Sequence, residues 1–148
     1  MSPMKEAFKK AGYKEGEKAK TNFNLPSNYT EKAEKVIIDL QRSMGRNYRD
    51  FTTSKIRNIL TLISEIYNDI VLEAEEELNQ DYLDRIEYLK VRLVYESGRE
   101  PQVVKPFERK AELIKLLDSI GNSKANFIKF ARYMEALVAY HRFYGGKE

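Results

Sequence analysis

From Thr30 onward the apolar positions recur every third or fourth residue nearly to the end of the chain, the spacing of amphipathic helices. Ala33, Ile37, Leu40 and Met44 step by four, three and four, with Glu31 and Glu34 near the positive end of the helix they predict. Thr30 suits its N-cap and Gly45 its end. After the basic loop GRNYRDF, Thr52 or Thr53 caps a long second helix whose stripe runs Ile56, Ile59, Leu60, Ile63, Ile66, Tyr67, Ile70 and Val71 before fading into EAEEELNQ. Asp81 opens a third helix that carries Leu83, Ile86, Leu89, Leu93 and Val94 inward, and Gly98 stops it.

Pro106 fits the first turn of a fourth helix, because its missing amide hydrogen would have no partner there. Phe107, Ala111, Ile114 and Leu117 make that helix's seam, and Gly121 closes it. Asn122 or Ser123 caps a fifth helix from about Lys124 to Tyr144. No strand pattern survives anywhere, so residues 30–148 read as an all-α single helical bundle of about five helices. Residues 1–29 differ: they are rich in Lys, Gly and Asn, and FNLPSN interrupts any helix, so burial cannot offset ordering entropy there. They read as a mobile basic arm, with a processing remnant as the bland alternative, and a short helix over Met4–Ala11 is compatible with contact to a partner.

At 148 residues the chain fits one domain with a real hydrophobic core. It has no cysteine, which removes disulfide frameworks, thiolate metal sites and cysteine nucleophiles together. A single histidine, His141, leaves no multi-histidine metal centre. No phosphate-binding loop, nucleophile elbow or dinucleotide fingerprint occurs, so the expectation is no cofactor, no metal and no catalytic residue. The absence of a long apolar run or a signal-peptide core points to a soluble, cytoplasmic protein without a membrane partner.

Charge changes the picture more by its distribution than by its total of +3. The arm holds Lys5, Lys9, Lys10, Lys14, Lys18 and Lys20 against Glu6, Glu15 and Glu17, which leaves residues 30–148 balanced. Within them, Arg42 to Arg57 has five basic residues and only Asp50, whereas Glu65 to Asp84 has eight acids and no lysine or arginine. If the second and third helices form an antiparallel hairpin, Lys55 and Arg57 come beside Arg92 and Arg99 at one end, with the loop Arg46–Arg49, and the acids gather at the other.

On the third helix, Arg85, Tyr88, Arg92, Tyr95 and Arg99 fall within an arc of roughly 80°, largely away from Ile86, Leu89 and Leu93. Guanidinium groups with phenol rings between them suit a nucleic-acid backbone, because arginine matches phosphate in a fixed fork while tyrosine stacks on bases. An ordinary solvated face is the alternative, since Glu96 can pair with Arg92 or Arg99. The cluster Glu73, Glu75, Glu76, Glu77, Asp81 and Asp84 reads as a solvated helix end, with a metal-dependent hydrolase using Glu73 and Glu77 as a remote alternative. The fifth helix is apolar over most of its circumference, and Tyr140 and Phe143 extend that surface beyond what one bundle buries. His141 reads as a hydrogen-bonded structural imidazole.

Phe51–Leu62 (FTTSKIRNILTL), Tyr82–Glu100 (YLDRIEYLKVRLVYESGRE) and Arg132–Lys147 (RYMEALVAYHRFYGGK) closely resemble the small subunit of type III-A CRISPR effector complexes, the Csm-type small subunit, from about Asn28 to the C-terminus. The resemblance implies an α-helical, non-catalytic subunit present in several copies, lying along guide RNA and target RNA among other effector-complex subunits and contacting RNA without regard to sequence. It also adds Arg132 to the candidate RNA contacts, which are then Lys55, Arg57, Arg85, Arg92, Arg99 and Arg132. A purely structural oligomerisation module, whose basic surface meets acidic protein, is the rival expectation.

Overall fold

The computed structural model describes residues 23–148. Among them run six α-helices, which we number α1 (Tyr29–Met44), α2 (Arg57–Ile70), α3 (Gln80–Arg99), α4 (Val104–Ala111), α5 (Leu113–Ser119) and α6 (Lys124–Phe143). The described residues contain no strand, only one antiparallel bridge between Glu77 and Ser123. The fold class is the all-α bundle that the periodicity predicts.

Two expected caps form and two move. Asn79 Oδ1 accepts from the Tyr82 amide at 3.2 Å to open α3, and Ser123 Oγ accepts from the Asn126 amide at 3.1 Å to open α6. Helix α1 starts before Thr30, with Asn28 at the cap position and its amide on Glu31 Oε2 at 2.8 Å. Thr53–Ile56 is a 3-10 turn, so α2 proper begins only at Arg57. Gly98 does not stop α3; it lies inside the last turn, with open space where a Cβ would be.

The expected fourth helix is two helices, because Glu112 between them adopts a left-handed conformation (φ 59°, ψ 39°). Residues two apart on one helix point roughly 200° from each other, so an unbroken helix could not bury both Ala111 and Leu113. The break buries both fully. The buried Glu108 side chain accepts the Ile114 amide at 3.2 Å, giving the restarted helix a partner for one of its orphan donors. Ile114, expected on the seam, is left half-buried.

Helix α6 packs against α1, α2 and α5 and supplies the middle of the core through Phe127, Phe130, Tyr133, Met134 and Leu137. The Tyr133 hydroxyl donates to the Ala111 carbonyl at 3.1 Å, and burial pushes its phenol pKa far up. Two residues expected inward face water instead: Val94 is 59% exposed and Val71, just past the end of α2, 41%. Of the stretch assigned to the arm, Leu25 is buried and Phe23 packs against the core, while residues 1–22 lie outside the described residues.

Candidate nucleic-acid interface

Three cross-helix contacts fix how α2 and α3 run. Lys55 Nζ meets Glu100 Oε1 at 3.0 Å, Asp69 Oδ2 meets Arg85 Nη1 at 2.9 Å, and the Tyr82 hydroxyl donates to Glu73 Oε1 at 2.8 Å. One residue number rises as its partner falls, which is an antiparallel hairpin. The Asn47 side-chain amide donates to Gln102 Oε1 at 3.0 Å, tying the 3-10 segment Gly45–Asp50 to the same end as Lys55 and Arg99. Arg46, Arg49, Lys55, Arg57 and Arg99 therefore share one end of the molecule.

Along α3 the side chains sort by their angle from the core. Arg85 and Arg92 lie on the edge of the stripe nearest Leu89, and both fold back onto the protein. Arg85 reaches Asp69 and stands 5.6 Å over the Tyr82 ring. Arg92 reaches Glu96 Oε1 at 3.0 Å and lies 5.0 Å over the Tyr95 ring. Tyr88, Tyr95 and Arg99 lie further round and are each more than half exposed.

Glu96 decides which arginines are available. Its side chain is 4% exposed, so its charge requires partners, which are Arg92 and, at 3.8 Å, Arg99. Arg92 thus neutralises a buried carboxylate, whereas Arg99, 59% exposed on a longer contact, is held loosely. On the helical wheel Glu96 falls beside Leu89, the one signal in the sequence that could have marked it as buried.

Arg57 is exposed at the start of α2 and forms no ion pair among the described residues, and the same holds for Arg42, Arg46 and Arg49. These last three stand outside the six expected contacts, although the Arg42-to-Arg57 charge run points to them. Arg132 lies apart from the others. It stands on α6 beside Tyr67, across α2 from Arg85, which with Leu62 and Ile66 lines a different hollow.

At the opposite end the acidic residues Glu73–Glu77 form an exposed loop rather than a helix end. Lys124 holds that loop by donating through Nζ to the Glu73 carbonyl, while its own amide bonds Glu76 O at 3.1 Å. Among the described residues no group of three or more His, Asp or Glu side chains could hold a metal ion. No helix among them is long and apolar enough to cross a membrane. His141 is buried, and its Nε2 donates to the Phe51 carbonyl at 2.6 Å, which makes the neutral ring the Nε2–H tautomer. Burial lowers its pKa, partly offset by that bond.

Comparison with known proteins places these features in a group. The family described as Csm2 Type III-A matches residues 30–147. A CRISPR system Cms protein Csm2 from Enterococcus italicus is 38% identical over 133 residues, 86% of this chain and 94% of that protein. A protein of the same description from Mycobacterium tuberculosis is 36% identical over 124 residues, covering 84% of this chain and 97% of its own. Another, from Streptococcus thermophilus, is 40% identical over 121 residues, covering 82% and 94%.

Proposed function

The chain belongs to the Csm2 type III-A family, and from that premise we propose that it acts as a non-catalytic small subunit of a type III-A CRISPR RNA-guided effector complex, holding guide and target RNA by sequence-independent contacts to the backbone in antiviral defence. The observation that carries the RNA contact is the gathering of Arg46, Arg49 and Arg57, without ion pairs among the described residues, with Arg99 at one end of the α2–α3 hairpin. Cations without carboxylate partners are available to replace the counterions of a phosphate chain. Tyr88 and Tyr95, both more than half exposed, add faces on which bases can stack. Phosphate contact positions RNA and carries no sequence information, as a scaffold requires. In this reading the partners are the two RNA strands, the other effector subunits and further copies of the chain, with no cofactor and the cytoplasm as its setting.

A purely structural role without RNA contact is the second reading, favoured by the exposed Val91, Val94 and Phe143. Titrating the full chain with a labelled unstructured RNA at several salt concentrations separates them. The RNA reading expects affinities that fall linearly in log–log form with salt and are similar for RNAs of unrelated sequence. Absence of binding at low salt supports the structural reading instead.

A further inference from the structure

A groove runs between α2 and α6 with a floor of Leu60, Ile63, Met134 and Val138, a cavity of about 290 Å³. It continues past Arg132 and Glu135 into a wider hollow of about 590 Å³ bordered by Tyr29 and Thr30. An apolar floor between two helices with polar rims is the shape that takes an amphipathic helix, whose anchors recur at three- and four-residue steps. Two facts point to what covers it. The described chain begins beside the groove: Lys129, one turn before Arg132 on α6, donates through Nζ to the Leu25 carbonyl at 3.3 Å, and Tyr29 and Thr30 line the hollow. Upstream, Met4, Ala7, Phe8 and Ala11 fall on one stripe of roughly 100° if helical, with Lys5, Glu6, Lys9 and Lys10 all outside it.

We propose that Met4–Ala11 docks as a helix in the α2–α6 groove of its own chain, Phe8 and Met4 on the apolar floor. Reach is ample: the eleven residues between Ala11 and Phe23 extend to ~36 Å or more, while Arg132 to Tyr140 spans ~12 Å of α6. Tethering holds the segment at an effective concentration of order millimolar, so an eight-residue stripe too weak to bind as a free peptide is held here. Docking turns Lys5, Lys9 and Lys10 outward beside Arg132, which gives that isolated arginine basic company. The segment lies outside residues 30–147 of the family match, and the inference does not rest on the RNA reading.

The absence of cysteine gives the test a clean background. Full-length chains carry Ala7→Cys with Ser64→Cys or Asn68→Cys, both exposed on the α2 rim, and a control carries Ala7→Cys with Val91→Cys on the exposed face of α3. Under mild oxidation at low protein concentration, the groove pairs cross-link within one chain about tenfold or more faster than the control, and adding Phe8→Asp removes the difference. Equal rates for groove and control pairs, rates unaffected by Phe8→Asp, or cross-links only between chains overturn the proposal.

Discussion

Arg92 Nη2 stands 3.0 Å from Oε1 of Glu96, a carboxylate that is 4% exposed in the middle of a helix otherwise read as an RNA-facing stripe. The pair makes Arg92 a stabilising residue first, and the expectation that Arg92 and Arg99 can be removed together without harm to the fold is replaced. Arg92→Ala leaves the buried carboxylate with only the long contact to Arg99 and lowers stability by about 1–3 kcal/mol in denaturant unfolding. Adding Glu96→Gln to that variant recovers part of the loss. Arg99→Ala alone stays within about 0.5 kcal/mol of the parent, which makes Arg99 the better probe of RNA contact.

His141 gives the fold a pH dependence of defined sign. Its pKa in the folded chain lies below the ordinary 6.5, so below 6.5 the unfolded chain binds a proton that the folded one does not. The stability this residue contributes is complete above 6.5 and is lost as pH falls through 6.5 toward the folded value. Melting temperature falls between about pH 7.5 and about pH 5.5, and the fall is shallower in His141→Gln. An identical slope in that variant removes His141 as its cause.

Gly146 closes the C-terminal turn over the same ring. Its amide donates to the His141 carbonyl at 2.7 Å, and the Lys147 carbonyl then accepts the Thr53 amide at 3.1 Å. A Cβ at Gly146 would overlap the His141 imidazole, which its bond to Phe51 holds in place. Gly146→Ala costs about 1–3 kcal/mol and raises hydrogen exchange at the Thr53 amide. Gly98→Ala, in open space on α3, stabilises by up to ~1 kcal/mol.

Phe143 is 69% exposed and touches only Tyr144 among the rings, at 5.1 Å, whereas Tyr140 is half-buried against the core. Of these two aromatic residues, Phe143 is the one whose loss separates assembly from folding. Phe143→Ala leaves the melting temperature of the isolated chain nearly unchanged and weakens association with partner subunits by ~2 kcal/mol, read by light scattering and by sedimentation of the reconstituted complex. Met134→Ala, at a fully packed position, instead costs about 2–5 kcal/mol of folding stability.

The helical segments were legible because apolar spacing at three and four residues is a local property, and Ser123 caps a helix within three residues of itself. What was not legible needed a neighbour. Glu112 breaks the fourth helix only because Ala111 and Leu113 both have core to reach, a demand set by α3 and α6. The shift of α1 to an Asn28 start moves a boundary by one turn without changing its buried face. For the basic surface, the wheel placed Arg85, Tyr88, Arg92, Tyr95 and Arg99 on one side, but Asp69 and Glu96 decide which guanidinium groups are occupied. Only the paired geometry of α2 and α3 reveals Asp69, while Glu96 was already visible beside Leu89.

The account's central claim is that the basic end of the α2–α3 hairpin contacts RNA phosphates. Its most direct test is the slope of log affinity against log salt for single-stranded RNA, measured on the parent and on the folded Arg57→Ala/Arg99→Ala variant. Each lost phosphate contact flattens the slope by about 0.7, so the double variant is flatter by about 1.4 and weaker at low salt, for every RNA sequence tried. An unchanged slope and affinity in that variant contradict the assignment.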